Sequence, residues 1–421
     1  MSFQEGAAPQ SWDITKNEVN LEEIQRAKAR LAPYVPVTPV SRSLYNTDAL
    51  GVETYFKLEN FNISGSFKIR GAGNALLAGS EQGAVGEVIA ASAGNHAQGV
   101  AYMARLLGRR ARIFMPERTP IVKVAATKSH GADVVLTGQV YDDAYAAALE
   151  YQATSKATLV HAFADAAVIN GQGTVGLELL DQIKNPGVII VPIGGGGLIG
   201  GVGCALKSKR PDLKIIGVQT KAFPAMKSSL AADKITGSTS GMTIADGIAV
   251  KRPSIRTLSL AKHYIDDILL VTDDEIAAAI MSLMEKDHVL AEGAGAASVA
   301  ALQVHSEKLR DLAGGRSVCC IVSGGNIDVP LVGRIANRGL IATGRMMRFT
   351  VRMPDRPGQL AELLNALGRT GANLIDLRHN RHFGALYYSD VDVEIDLETM
   401  DFKHQSLIKK TLDDMRLHYT M

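Results

Sequence analysis

The sequence predicts an α/β protein with a mostly parallel sheet, followed by a smaller α+β module. Three observations carry this reading. Short apolar runs alternate with helical periodicity through most of the chain. Glycine- and serine-rich segments follow several of these runs, where strands of a parallel sheet hand over to helices and ligands collect. Past Thr343-Gly344-Arg345 the order becomes strand, helix, strand, strand, helix.

Taken in order, Glu87 to Ala91 is a short apolar run that meets Ser92-Ala93-Gly94-Asn95-His96. A helix follows, with Val100, Met103, Ala104 and Leu107 at i, i+3, i+4 and i+7, and Gly108 ends it. Arg112 to Met115 and Val134 to Leu136 read as strands, and an alanine-rich helix spans Tyr141 to Gln152. Val188 to Ile193 is a continuous apolar run that stops at four glycines; Ile215 to Val218 and Cys319 to Val322 repeat the theme. Continuous apolar strands are buried on both faces, which requires helices on both sides of the sheet. In the last stretch, Met347 to Met421, Arg348 to Met353 is a strand, and the next helix sets Leu360, Leu363, Leu364 and Leu367 on one face. Ala385 to Leu397 alternates, with Asp390, Asp392, Glu394 and Asp396 on its polar side, so this sheet has one wet face.

Composition excludes several classes. A chain of 421 residues with 46% hydrophobic content has room for two to three domains and a large core. A net charge of +2 gives no footprint for nucleic acid or an anionic membrane. No apolar run approaches the roughly 20 residues that span a bilayer. Met1 to Asn20 is polar and lacks a charged-then-apolar signal pattern, so the expected location is the cytoplasm, where the sequon Asn62-Ile63-Ser64 goes unused. Cys204, Cys319 and Cys320 read as small core residues, and no His/Cys spacing suits a metal.

Two segments carry chemistry. Lys68 follows the turn Asn62-Ile63-Ser64-Gly65-Ser66-Phe67 and precedes a helical run from Ala72 to Leu77. An amine held there can form a Schiff base; the plain alternative is a solvated lysine at a helix start. Gly194-Gly195-Gly196-Gly197-Leu198 lies between an apolar strand and a helix. Backbone amides can approach a phosphate closely at such a turn; the alternative is a tight turn needing only glycine's backbone freedom. Gly195, Gly197 and Gly200 satisfy G-x-G-x-x-G, but Gln219 stands where a dinucleotide site wants an acidic residue, and no Gly-Lys-Ser or Gly-Lys-Thr marks a P-loop. A reactive lysine with a phosphate cup points to pyridoxal 5′-phosphate.

Ser64-Gly65-Ser66-Phe67-Lys68-Ile69-Arg70-Gly71-Ala72, Ser92-Ala93-Gly94-Asn95-His96-Ala97-Gln98-Gly99, the glycine run and Ser323-Gly324-Gly325-Asn326 occur in that order. Over roughly residues 24–341 the set resembles the tryptophan synthase β-like (fold type II) pyridoxal phosphate enzymes, and within them the threonine dehydratases. The resemblance implies two open parallel-sheet subdomains within a catalytic domain of residues 1–346. It implies that Lys68 holds the cofactor through a Schiff base and then removes the Cα proton of threonine. Gly194, Gly195, Gly196, Gly197 and Leu198 would cradle the phosphate, Asn95 would meet the ring hydroxyl, and Ser323 would face the ring nitrogen. A hydroxyl at that nitrogen makes the ring a weak electron sink, which suits β-elimination to 2-oxobutanoate and ammonia. The loop Ser92, Ala93, Gly94, Asn95, His96 would hold the substrate carboxylate. Ser92 also reads as an ordinary helix cap and His96 as a packed residue with no acid–base role. Glu292 falls where the family places an acidic residue near the cofactor, although a charge at a Gly/Ala helix start is common. Serine racemases carry a second serine as the opposite-face base; here Ala93 stands in its place, which disfavours racemisation.

Asp355-Arg356-Pro357-Gly358-Gln359-Leu360 and Gly371-Ala372-Asn373-Leu374-Ile375 resemble an ACT-like regulatory domain over residues 347–421. The resemblance implies side-by-side pairing in a homo-oligomer, a dimer or tetramer, and feedback by isoleucine in isoleucine biosynthesis. Asp355, Gly358, Asn373 and Ile375 are the effector-site candidates; Pro357-Gly358 as a plain turn before a helix is the alternative. Serine dehydratase and threonine synthase remain as readings of the same cofactor class. An amino-acid sensor with a dead catalytic body is the reading outside it.

Overall fold

The computed structural model describes residues 18–238, 241–380 and 389–421. The chain divides into two compact units, Met1–Ile327 and Asp328–Met421. In the first unit the strands are β1 (Val40–Arg42), β2 (Thr54–Leu58), β3 (Val88–Ala91), β4 (Ala111–Met115), β5 (Asp133–Leu136), β6 (Thr158–Leu159), β7 (Pro186–Pro192), β8 (Lys214–Thr220), β9 (Asp267–Val271) and β10 (Ser317–Val322). They form a six-stranded sheet in the order β1-β2-β10-β7-β8-β9 and a four-stranded sheet in the order β5-β4-β3-β6. All pairings are parallel except β1 with β2. Two open parallel sheets are therefore present, with one antiparallel edge strand on the larger.

Every residue of β7 and β10 is buried, as their unbroken apolar character requires. Val191, Ile321 and Ile215 from this sheet pack with Val175, Val202 and Leu206 of the helices Ala166–Gln182 and Gly197–Lys209. The smaller sheet packs Val88 and Ile113 against Ile69, Leu76, Val100 and Met103. Val100 and Met103 lie on the helix Asn95–Leu106, and Gly108 follows it at φ +66°, in line with the expected stop. Cys204, Cys319 and Cys320 are buried and free, and burial pushes the Cys319 thiol up to about 12.

A buried ion cluster lies beside the start of the helix Lys68–Glu81. Arg70 Nε donates to Glu59 at 2.8 Å and Arg70 Nη1 to Glu178 at 2.6 Å. Lys57 Nζ donates to Glu178, to Gln182 and to the Thr38 carbonyl. Two cations meet two anions, so the cluster is neutral. Removing one partner would leave an uncompensated buried charge.

The second unit opens with the helix Val329–Ala342. Its sheet contains β11 (Met346–Pro354), β12 (Asn373–Asn380), β13 (Asp390–Glu398) and β14 (His418–Thr420), in the order β12-β13-β11-β14 and antiparallel throughout. Residues 385–388 of the expected acidic strand lie outside the described residues. From Asp390 the alternation holds as far as Ile395, and Asp396 is buried as well: Val391, Val393, Ile395 and Leu397 are buried beneath Leu363, Leu367, Ile408 and Leu412 of the helices Gln359–Arg369 and Phe402–Asp414. On the other face Arg348 pairs with Asp396 and Arg352 with Asp392. The strand β14 has no counterpart in the sequence expectation; its three residues are too few to show a period.

Candidate active site

One cavity of about 520 Å³ lies at the carboxyl ends of the parallel strands. Neighbouring strands β2, β10 and β7 deliver the Lys68 segment, Ser323 and the glycine run; β3 of the other sheet delivers Ser92–His96. Every catalytic, cofactor and substrate candidate read from the sequence lines this cavity.

Lys68 is the first residue of its helix, which starts earlier than the expected Ala72. Its Nζ donates to the Ala162 carbonyl at 2.9 Å. Burial lowers its pKa to about 8, against the opposing pull of Glu292. A free amine is thus accessible near neutral pH, which Schiff-base chemistry requires.

The glycine run turns from β7 into the helix Gly197–Lys209. Gly196 caps that helix at φ +94°, a backbone region that side chains oppose, and makes no side-chain capping bond. A Cβ at Gly195 would lie 2.2 Å from Phe163 Cγ. The run is therefore bare, and the first-turn amides receive no side-chain cap. Such a turn accepts an anionic oxygen.

The Ser92 loop differs from one expectation. Gly94, not Ser92, occupies the cap of the helix Asn95–Leu106, and it makes no side-chain capping bond. Ser92 Oγ instead accepts from the Gly94 amide at 3.2 Å, because two residues separate it from the helix start. His96 is buried, with Nε2 2.8 Å from the Val160 carbonyl. Burial, with Lys68 nearby, pushes its pKa down to about 3, so the ring is neutral and packed as expected.

Asn95 is already engaged within the protein. Its Nδ2 donates to Glu292 Oε1 at 2.6 Å, and its Oδ1 accepts from Asn326 Nδ2 at 2.9 Å. Glu292 is buried, and its carboxyl is pushed up to about 7 by burial and by Asp246, while Asn95, Lys123 and Lys68 oppose the shift. Lys123 and Asp246 form an ion pair on the cavity wall. Ser323 is buried, and its carbonyl accepts from the Phe67 amide at 3.1 Å, tying it to the Lys68 segment.

Sequence reasoning missed Phe163, Gln172, Lys123 and Asp246 as lining residues. Gln172 sits in Gly171-Gln172-Gly173-Thr174, a glycine-flanked polar residue that was the available signal. Asn326 closes the motif Ser323-Gly324-Gly325-Asn326, which by itself gives it no role.

The effector candidates behave differently. Asp355 and Gly358 follow β11, whose end Pro354 pairs with Asp390 at the start of β13. Asn373 begins β12 and pairs with Glu398 at the end of β13. At about 3.4 Å per residue the two pairs lie at opposite ends of the sheet. One copy of the chain does not bring Asp355, Gly358, Asn373 and Ile375 together.

Among the described residues no helix is long and apolar enough to cross a membrane, and no His/Cys/Asp/Glu group is arranged to hold a metal.

Residues 31–324 match the family model "Pyridoxal-phosphate dependent enzyme", and residues 347–401 match "ACT domain". The L-threonine ammonia-lyase of Thermotoga maritima is 44% identical over 394 residues, covering 94% of this chain and 97% of that protein. The processed form of threonine deaminase isoform 2 from Solanum lycopersicum superposes with a TM-score of 0.73 at 33% identity, over 78% of this chain and 90% of that one. Maize serine racemase superposes with a TM-score of 0.72 at 34% identity, over 77% and 99%. The cavity fits the cofactor on its own terms: a bare, uncapped glycine turn suits a phosphate, and an amine lowered to about 8 suits an aldehyde. The chain belongs to the pyridoxal-phosphate dependent enzymes of fold type II, as the branch related to the L-threonine ammonia-lyases, and carries a C-terminal ACT domain.

Proposed function

We propose that this enzyme converts L-threonine to 2-oxobutanoate and ammonia as the first step of isoleucine biosynthesis in the cytoplasm, and that isoleucine inhibits it through the ACT domain. The observation that carries the catalytic reading is the Lys68 amine, lowered to about 8 and lining the same cavity as the uncapped glycine turn. Residues 1–346 are assigned the chemistry and 347–421 the regulation.

Pyridoxal phosphate bound there supplies an aldehyde for amine capture and a ring that spreads charge from Cα. The chain's residues do the rest. Lys68 would hold the cofactor through its amine, and the same amine, when free, would take the Cα proton. The amides of Gly194 to Leu198 hold the phosphate, and those opening the Asn95 helix, with Ser92 to His96, hold the threonine carboxylate. Asn95 would meet the ring oxygen, and the neutral Ser323 hydroxyl would face the ring nitrogen. His96 stays neutral and takes no proton. Ala93 offers no base on the opposite face, so proton return to Cα there is disfavoured; the proton taken up by Lys68 balances the one the β-hydroxyl needs to leave as water. Hydrolysis of the released enamine returns one water and yields ammonia.

The exposed edge strand β12, with Leu374 and Ile375 outward, supports pairing of ACT domains between copies in a dimer or tetramer. Pairing would also supply the missing half of an effector site that one copy leaves split. Turnover of threonine against serine, with and without isoleucine, tests the whole reading. Pyruvate from serine as the dominant product would make the enzyme a serine dehydratase, and no turnover of either would favour a sensor.

A further inference from the structure

Asn326 closes the segment Ser323-Gly324-Gly325-Asn326, of which the function above uses only Ser323. Both N–H groups of its carboxamide are taken. One donates to the Ser64 carbonyl at 2.9 Å, in the loop that leads to Lys68; the other donates to Asn95 Oδ1 at 2.9 Å. Asn95 Nδ2 in turn donates to Glu292 Oε1 at 2.6 Å. The Asn95 carboxamide is thereby held at both ends. Turning it over would set N–H against N–H at Asn326 and, when Glu292 is ionised, oxygen against oxygen at its carboxylate. One Nδ2–H of Asn95 remains, because a primary amide carries two donors.

The backbone is shaped around this chain of bonds. A Cβ at Gly65 would lie 2.2 Å from Asn326 Oδ1, and one at Gly324 would lie 2.3 Å from Glu292 Oε1. Four segments of the chain meet here, and the same cavity is lined by Lys68, Asn95, Glu292 and Asn326. Lys68, Lys123 and Asp246 are the charged groups that act on Glu292.

We propose that Asn326, with Glu292, is a positioning residue that locks the Asn95 carboxamide as a hydrogen-bond donor toward the cofactor. The lock fixes which end of Asn95 the bound group meets: an N–H, and hence an acceptor oxygen on the ligand. It also ties that donor to the loop carrying Lys68, so the two contacts to the cofactor move together.

This inference rests on reading the cavity as the pyridoxal phosphate site. The test is titration of the full-length apoenzyme with pyridoxal phosphate, followed by visible absorbance. Asn326→Ala is expected to raise the dissociation constant about tenfold and to shift the absorbance maximum, the loss of one oriented hydrogen bond. Asn326→Asp keeps the side-chain size, sets a carboxylate against Asn95 Oδ1 and is expected to lose at least as much; it carries the test if the alanine variant folds poorly. In an Asn95→Ala background, replacing Asn326 should cost less than about twofold more, because its effect runs through Asn95. Parental affinity and absorbance in both Asn326 variants would overturn the inference. So would an equal loss that persists without Asn95, which would mark Asn326 as a structural prop for the Ser64 loop. A parent enzyme that binds no pyridoxal phosphate would instead sink the assignment of the cavity.

Discussion

Asn95 Nδ2 lies 2.6 Å from Glu292 Oε1, so a neutral amide and a buried carboxyl 197 residues apart share one hydrogen bond at the wall of the cavity. The pair makes the state of Glu292 measurable. Its ordinary pKa is 4.5, and in the folded chain it is about 7. Between these values the folded chain keeps a proton that the unfolded chain has released. Stability therefore falls as pH rises from about 4.5 to about 7, and the deficit stays in place above that range. Glu292→Gln keeps an oxygen for Asn95 and removes the deficit. The apo variant should melt above the parent at pH 8, with the gap closing below about pH 4.5. Identical melting at pH 8 would show that the carboxyl is not desolvated.

Lys68→Ala should leave a cofactor that dialyses away and cannot be fixed to the chain by borohydride. Turnover should fall by at least about a thousandfold, the scale for losing a general base. Substantial elimination by this variant, with excess cofactor and no added amine, would refute the assignment of Lys68.

Gly195 and Phe163 test the glycine turn. The 2.2 Å clash of a Cβ at Gly195 with the Phe163 ring should cost Gly195→Ala at least about tenfold in cofactor affinity. Phe163→Ala, which removes the Cγ and Cδ atoms that the added methyl would meet, should restore part of that loss in the double variant. Additive losses would mean that the ring is not what the added methyl meets.

Arg70 holds Glu59 and Glu178 in the buried cluster beside Lys68. Arg70→Met should destabilise the chain by about 3–5 kcal/mol, because buried Glu59 loses its paired cation and Glu178 is left with Lys57 alone. Denaturant unfolding of the apo protein reads this directly; a change below about 1 kcal/mol would place the cluster closer to the surface than it is here.

Truncation before Met347 should retain threonine turnover and abolish the response to isoleucine. A full-length enzyme indifferent to isoleucine would remove that amino acid as the effector. Since Asp355 and Asn373 sit at opposite ends of one sheet, Asp355→Ala and Asn373→Ala should each weaken inhibition only if partner copies complete the site. Mixing the two inactive-response variants should then restore part of it.

The sequence by itself determined the alternation of buried strands and helices, the glycine turn after β7, the loop after β3 and the position of Lys68. These are local properties: apolar periodicity follows from which face is buried, and a bare turn follows from a few adjacent glycines. It also carried the wet and dry faces of β13, because that alternation is written residue by residue. Packing alone decided the rest. The Lys68 pKa depends on desolvation, Asn95 faces Glu292 and Asn326 from segments 197 and 231 residues away, and Arg70 finds Glu178 at 108. The Ser92 cap failed for the same reason, and the placing of the effector candidates at two ends of one sheet was out of the sequence's reach. A hydrogen bond or a ligand site is set by where a side chain points and how strands are registered, and both are fixed only when distant segments pack.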